Sequence, residues 1–290
     1  RSKRHMLWCS PPTAAAHSRM IAIPRPLRLT FYYLLIIAGA VLAASVAIRQ
    51  AERQSLVDDA GRANQQLALY ANSLHTLIER YRALPAVLAL DSEMIRALKG
   101  PLDPATQDVL NHKLERINGA AQSSTLELMD RTGLAVAASN WRLPSSYVGH
   151  NYAFRPYFSQ TRSQGTGRFY AVGVTTGIPG YFLSSAVVDE QEQFIGAMVV
   201  KLEFPELERE WAQGDDLLLV SDARGIVFIA NKPGWRYRNL RPLSANDMAE
   251  LKATRQYDKK QLLPLDTQTL QRFDENSNLV RVAGPAVNAN

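Results

Sequence analysis

The sequence predicts an α+β protein in which a membrane-spanning helix and a long helical stalk precede antiparallel sheets. Three features of the 290 residues support this class. Residues 30–48 carry no charge, residues 50–84 contain one glycine and no proline, and apolar and polar residues begin to alternate at Thr125. A chain of this length can fold as one large domain or two small ones.

The apolar run at residues 30–48 is predicted to cross a membrane. At about 1.5 Å rise per residue it spans about 28 Å, close to the hydrocarbon thickness of a bilayer. The basic residues that precede it are Arg1, Lys3, Arg4, Arg19, Arg25 and Arg28. The positive-inside rule therefore places residues 1–29 in the cytoplasm as a tail and the chain after residue 49 on the outside. A cleaved signal peptide, with small residues at 45–47, is the alternative.

The stalk and helical segment, residues 49–122, has a heptad spacing of apolar residues. Its positions are Leu67, Leu74 and Tyr81, with Tyr70, Leu77 and Leu84 three residues out of phase. This spacing is typical of coiled coils and predicts a homodimer, whereas packing of the stripe on its own domain is an equal alternative. Pro85 interrupts the helix, and further helices are predicted over 86–99 and from Asp103 to about Ala121.

Five strands are predicted next, over residues 125–130, 134–138, 168–175, 181–189 and 194–203. A turn with Asp130 first and Gly133 last joins the first two strands, and the same turn recurs from Asp222 to Gly225. The recurrence predicts two similar sheet lobes, one over 123–205 and one over 206–290. After Trp235 the chain is polar and shows no closing strands, so the second lobe is expected to be incomplete.

The composition disfavours several function classes. The one cysteine, Cys9, excludes a site built from several thiolates. Histidine and acidic residues do not cluster at the spacing of metal ligands, so no metal is predicted. The chain lacks a basic stripe with interleaved aromatic residues, which disfavours nucleic-acid binding. It also lacks a catalytic motif, so no cofactor is predicted and binding is favoured over turnover.

Candidate ligand contacts lie between residues 139 and 201. The fork of Arg155 can hold a carboxylate with two hydrogen bonds, and the alternatives are a buried structural ion pair or a solvated loop arginine. Lys201 lies in an apolar strand and must either pair with an acid, for which Glu203 is available, or meet an anion. The uncharged donors are Tyr157, Tyr170, Thr175, Thr176, Ser184 and Ser185. Two separated cations with several hydroxyls suit a small molecule that has two carboxylates.

At these residues the sequence resembles the sensor region of bacterial four-carbon dicarboxylate sensor histidine kinases. The segments that carry the resemblance are Asn151-Tyr-Ala-Phe-Arg-Pro-Tyr-Phe158, Phe169-Tyr-Ala-Val-Gly173, Thr175-Thr-Gly-Ile-Pro-Gly-Tyr-Phe-Leu-Ser184 and Val199-Val-Lys201. The Arg-x-Tyr-Phe element marks the broad class of double Cache domains. The run that starts at Thr175 narrows the resemblance to the dicarboxylate sensors.

The resemblance implies a membrane-distal PAS-like lobe over 123–205 that binds the ligand and a membrane-proximal PAS-like lobe over 206–290. Both would lie in the periplasm, beyond a span of the inner membrane at residues 30–48, and the protein would be a homodimer. The ligand would be a small dicarboxylate such as succinate, fumarate or malate. Its implied contacts are Arg155, Tyr157, Tyr170, Thr175, Thr176, Ser184, Ser185 and Lys201.

For the parent protein the resemblance implies a sensor histidine kinase that uses ATP and acts on a response regulator. The chain is expected to be a fragment without that kinase domain. A chemoreceptor or a cyclic-dinucleotide enzyme with the same sensing module is one alternative, and a secreted solute-binding protein is another. An amino-acid ligand also stays open, with Asp189 as the one acid that could bind its amine.

Overall fold

The computed structural model describes residues 25–214, 216–272 and 278–282, which fall into two units divided between residues 63 and 64. In the first unit the predicted span at residues 30–48 lies within helix α1 (Arg25–Arg82). This is the one described helix that is long and apolar enough to cross a membrane, judged by length and composition. Within residues 30–48 the large apolar side chains, such as Leu34 and Ile36, are exposed, as lipid contact requires.

The short helices after α1 begin at proline residues or capping side chains. They are α2 (Leu84–Ala89), α3 (Ser92–Leu98) and α4 (Pro104–Ala121). Pro85 lies in the first turn of α2, where a missing amide hydrogen costs no helical hydrogen bond. The prediction of a single helix over 86–99 is wrong, since this stretch contains two helices. The carboxylate of Asp91 accepts hydrogen bonds from two main-chain amides and starts the second of them. Asp103 caps α4 in the same way, as the sequence indicated.

The heptad stripe of α1 packs largely on its own domain. Tyr70, Leu74 and Leu77 are half-buried against the core of the second unit. The hydroxyl of Tyr70 lies 3.0 Å from a carboxylate oxygen of Asp216. By contrast, Leu67 keeps 56% of its surface exposed. The alternative of packing on the same domain therefore accounts for this part of the stripe, and the homodimer stays a prediction.

The second unit is built on a five-stranded antiparallel sheet in the order β2-β1-β5-β4-β3. Its strands are β1 (Thr125–Asp130), β2 (Ala135–Ala138), β3 (Thr166–Val172), β4 (Pro179–Val188) and β5 (Phe194–Leu202), and helix α5 (Pro156–Gln164) precedes β3. The third strand was predicted to reach residue 175 but ends at Val172. The amide of Gly173 donates to the carbonyl oxygen of Ile178, which closes residues 173–178 into a loop.

The two faces of this sheet carry different side chains because strand residues alternate. Leu126 and Val200 lie on the face that packs against the helices α1 to α4. Glu127 and Lys201 lie on the opposite face, which α5 and the loop before it cover. Both faces are buried, so polar residues on the second face must find partners inside the protein.

The segment after β5 has more regular structure than the sequence predicted. It contains α6 (Pro205–Trp211), β6 (Leu219–Ser221), β7 (Val227–Ala230), β8 (Arg238–Asn239), α7 (Ala245–Thr254), β9 (Leu263–Pro264), β10 (Thr267–Arg272) and β11 (Asn278–Val282). The expectation of no strands after Trp235 is wrong. Strands of two residues are too short to show an alternating pattern, and β10 has one apolar residue among its six.

The Asp-x-x-Gly turn is built identically in both places. The carboxylates of Asp130 and Asp222 each accept from the amides two and four residues later. Gly133 and Gly225 adopt φ values of 87° and 79°, which glycine reaches without strain. The repeat seen in the sequence is therefore a repeat of structure, although β6 and β7 form a two-stranded sheet rather than five strands.

Candidate ligand-binding site

A small cavity lies on the covered face of the five-stranded sheet. Glu127 of β1 and Phe182 of β4 form its floor, and the remaining lining residues are Tyr147, Tyr152, Arg155, Tyr157, Gly173, Val174 and Thr175. These come from the loop before α5, the start of α5 and the loop at 173–178. The space between them is about 10 Å³, room for about one water molecule.

Arg155 is 1% exposed, and its guanidinium binds main-chain oxygens. Its Nη1 donates to the carbonyl oxygens of Thr254 and Arg255, each at 3.0 Å, and Nη2 donates to that of Val172 at 2.7 Å. The structural ion pair considered for Arg155 is thus replaced by a cap on the C-terminal end of α7, where a cation is favourable. Burial lowers the pKa of the guanidinium.

Lys201, also 1% exposed, lies beside the cavity rather than in its wall. Its Nζ donates to Oε1 of Glu203 at 2.5 Å and to the hydroxyl of Thr176 at 3.3 Å. The pairing with Glu203 that the sequence offered is therefore present. Burial lowers the pKa of Lys201, and the hydrogen bond to Glu203 opposes that shift.

The side chain of Lys201 has room because the neighbouring strand β4 carries a glycine, Gly180, beside it. A Cβ atom on Gly180 would lie 2.6 Å from Cε of Lys201 and 2.9 Å from the carbonyl oxygen of Leu202. Both distances are shorter than any normal contact, so a larger residue at this position would displace the lysine. Gly180, in the Thr-Thr-Gly-Ile-Pro-Gly run, thus helps to position Lys201.

Glu127 is the acid that sequence reasoning missed. It is 3% exposed, its Oε1 accepts from the hydroxyl of Tyr157 at 3.3 Å, and its Oε2 has no hydrogen-bond partner within the described residues. Burial raises the pKa of this carboxyl to about 7, against the opposing charges of Lys201 and Arg155. The available signal was an acid inside the apolar run of β1, on the same face as Thr125.

Two tyrosines complete the wall, and neither was predicted. The hydroxyl of Tyr152 lies 2.6 Å from that of Thr175, which ties the 173–178 loop to the loop before α5. The hydroxyl of Tyr147 makes no hydrogen bond of standard geometry among the described residues, although the nearby hydroxyl of Thr176 acts to lower its pKa. Burial dominates and raises the pKa of both phenols, so both stay neutral donors.

The structure brings five of the eight predicted contacts together. Arg155, Tyr157 and Thr175 line the cavity, and Thr176 and Lys201 bind each other next to it. The remaining three, which are Tyr170, Ser184 and Ser185, lie elsewhere.

Tyr170 and Ser184 have other partners, and Ser185 lies away from the cavity. The hydroxyl of Tyr170 donates to the carbonyl oxygen of Phe228, and its ring packs on the second lobe, since β3 is an edge strand. The hydroxyl of Ser184 lies 2.6 Å from that of Thr161 beneath α5. Ser185 lines a different surface hollow.

Asp189, the one acid considered for an amine, lies in the turn between β4 and β5. Its carboxylate accepts from the amides of Gln191 and Gln193. These bonds hold the hairpin turn, and Asp189 does not line the cavity. Glu127 is the acid that faces the site.

No protein-family model matches the chain. Over 244 residues it is 36% identical to the C4-dicarboxylate transport sensor protein DctB of Rhizobium meliloti, covering 84% of this chain and 38% of that protein. Over 204 residues it is 34% identical to the DctB protein of Pseudomonas aeruginosa, covering 70% of this chain and 33% of that protein. The chain thus spans little more than a third of these relatives.

Two solved structures have a similar fold. The sensor domain of the histidine kinase DctB from V. cholerae superposes with a TM-score of 0.70 at 26% identity, covering 78% of this chain and 86% of that one. The periplasmic domain of RsbU from Chlamydia trachomatis does so with a TM-score of 0.53 at 16% identity, covering 73% and 79%, and shows the fold alone. The chain carries a sensor region of the DctB type, the family of C4-dicarboxylate transport sensor proteins.

Proposed function

We propose that this chain is the extracytoplasmic sensor of a two-component receptor histidine kinase and that it binds a C4 dicarboxylate such as succinate, fumarate or malate. The observation that carries the proposal is the pair of fully buried cations, Arg155 and Lys201, beside one small cavity with hydroxyl donors. Cations are rarely buried completely unless they bind anions or carbonyl groups. The names of the DctB relatives support the same ligand class.

Binding requires the 173–178 loop to move, since the cavity holds about one water molecule. This loop carries Thr175 and Thr176, whose hydroxyls contact Tyr152 and Lys201. A diacid entering between Arg155 and Lys201 would replace these contacts with its own carboxylates. Ligand binding would thereby change how the loop is held, which is the kind of two-state element a receptor needs.

The proposed topology follows from the charge pattern around α1. The basic tail would lie in the cytoplasm, residues 30–48 would cross the inner membrane, and the sheet domain would lie in the periplasm. A response regulator as partner, ATP as the kinase cofactor and a homodimeric state belong to the proposed parent protein. A chemoreceptor or cyclic-dinucleotide enzyme remains the alternative output, and phosphorylation of the parent protein by labelled ATP distinguishes them.

Calorimetric titration of the detergent-solubilised chain tests the ligand. Succinate should bind, whereas butyrate and the monoamide of succinate should each bind about ten-fold to a hundred-fold more weakly, because each lacks one charged hydrogen-bonding end. Butyrate that binds as tightly as succinate, or the absence of any diacid binding, would overturn the proposal.

An amino-acid sensor is the second candidate, and Glu127 is the observation that favours it. An ionised carboxylate in the cavity wall could pair with an ammonium group while Arg155 holds the carboxylate end. The same titration with a panel of amino acids separates the two ligand classes. An amino acid that binds more tightly than succinate would favour this second function.

A further inference from the structure

Glu127 has the geometry of a ligand-facing group rather than of a structural one. Its side chain reaches the cavity from the middle of β1, and Oε2 is buried without a partner among the described residues. An unpartnered buried carboxylate oxygen is costly, and such atoms are few in folded proteins. The hydroxyl of Tyr157 supplies one neutral hydrogen bond to Oε1, and no cation among the described residues forms a direct ion pair with Glu127.

The net charge of the ionisable groups around the cavity is close to zero before any ligand enters. Arg155 and Lys201 supply two positive charges, and Glu203 is paired with Lys201 at 2.5 Å. An ionised Glu127 would bring the sum to zero. In the second lobe, Arg255 and Asp258 form an ion pair with each other at 2.9 Å and so add no net charge.

The remaining groups that face Glu127 are neutral. They are the phenols of Tyr147, Tyr152 and Tyr157, whose pKa values burial raises, and the ring of Phe182 on β4. None of these side chains can compensate an added negative charge. A diacid with two negative charges would therefore enter a buried site that already contains two carboxylates, an arrangement in which one acid takes a proton.

We propose that Glu127, in the wall of this cavity, takes up a proton when the ligand binds. A dicarboxylate therefore binds together with one proton from solvent, which attaches to a carboxylate oxygen of Glu127. This inference rests on the proposed function. The protonated acid becomes a donor, and its O–H hydrogen-bonds the ligand carboxylate instead of repelling it. The receptor then responds to the diacid more strongly as the external pH falls.

Calorimetry of the chain with succinate tests this directly. Titrations at about pH 8 in two buffers of different ionisation enthalpy should report uptake of close to one proton per succinate bound. Because the pKa of Glu127 is about 7, the succinate Kd should rise roughly eight-fold between about pH 6.5 and about pH 8. Glu127→Gln should bind succinate without proton uptake and with a Kd that no longer depends on pH in this range.

Glu210→Gln, which changes an exposed acid on α6, is the matched control and should keep the wild-type pH dependence. Succinate binding by the unaltered chain with no proton uptake and a constant Kd would overturn the role of Glu127 while leaving the dicarboxylate sensor intact. The buffer comparison needs no variant, so a folding defect in Glu127→Gln does not remove the test.

Other outcomes separate the two proposals. Failure of every diacid to bind at any of these pH values would instead overturn the proposed function. An amino acid that binds without proton uptake would overturn the inference too, since Glu127 would then pair with an ammonium as a carboxylate.

Discussion

Arg155 donates a hydrogen bond from Nη1 to the main-chain oxygen of Arg255, 3.0 Å away and one hundred positions later in the chain. The amide of Val172 donates to the carbonyl oxygen of Gln256 at 2.8 Å alongside it. Arg155, which lines the cavity, thus also connects β3 to the C-terminal end of α7. If the proposed dicarboxylate binds Arg155, movement of the guanidinium toward its carboxylate would weaken the hold on α7 and so transmit binding to the second lobe.

Arg155→Ala should destabilise the protein and abolish succinate binding. The change leaves the carbonyl groups of Val172, Thr254 and Arg255 without their cationic donor, at a cost of about 3 kcal/mol in the free energy of unfolding. Urea denaturation followed by circular dichroism measures the loss. Arg162→Ala, at an exposed arginine of α5, should change stability by less than about 0.5 kcal/mol. Equal stability in the two variants would contradict the capping role.

Lys201→Met should weaken succinate binding about ten-fold to a hundred-fold while the fold persists. Methionine has a similar length and no charge, and the carboxylate of Glu203 that loses its partner can be solvated because 23% of that side chain is exposed. Calorimetry measures the affinity, and Lys252→Met on the exposed face of α7 serves as the control. If succinate affinity is the same in both variants, Lys201 has no part in the site.

Glu127 should make the free energy of unfolding depend on pH. Its pKa rises from 4.5 to about 7 on folding, so the native state binds the proton more tightly than the unfolded state does. Stability from this group is complete below about pH 4 and declines as the pH rises to about 7, by about 3 kcal/mol in total. Glu127→Gln should remove that decline. Denaturation curves for both proteins at several pH values test it, and parallel profiles would refute the prediction.

Gly180→Ala should lower succinate affinity at least about ten-fold, because its Cβ would overlap the stem of Lys201. Gly119→Ala provides a matched control, since nothing lies within 4 Å of a Cβ at that position in α4. The control should stabilise the protein by about 0.5–1 kcal/mol, the usual gain of alanine over glycine in a helix. Unchanged succinate binding by Gly180→Ala would show that the lysine does not need that space.

The predicted homodimer is best tested by a substitution at a position of α1 that does not pack in the domain core. Leu74 and Leu77 pack within their own unit, so charges there would disturb the fold rather than report on pairing. Leu67 is exposed on the same stripe, and Leu67→Glu should reduce cross-linking of the membrane-anchored chain by placing a charge in the seam. Gln66→Glu, at an exposed neighbouring position, should not. Cross-linking that is equal in both would exclude this part of α1 from the interface.

The sequence predicted those structural features that depend on residues close together in the chain. The apolar run of α1, the proline at the start of α2 and the Asp-x-x-Gly turns depend on contacts within a few residues, and each appears as predicted. The pairing of Lys201 with Glu203 is of the same kind, because residues two apart on a strand share a face. Motif resemblance added Arg155, Tyr157 and Thr175 to the cavity wall.

What the sequence could not determine depends on contacts between distant segments. The sheet order places β1 beside β5, and only that pairing brings Glu127 near Lys201 and makes it the acid of the site. Docking of the second lobe on β3 turns Tyr170 away from the cavity and supplies the carbonyl groups that Arg155 binds. A strand pattern shows that two faces exist, but which face lines the cavity is decided by the layers that cover the sheet, and those layers form only in the tertiary structure.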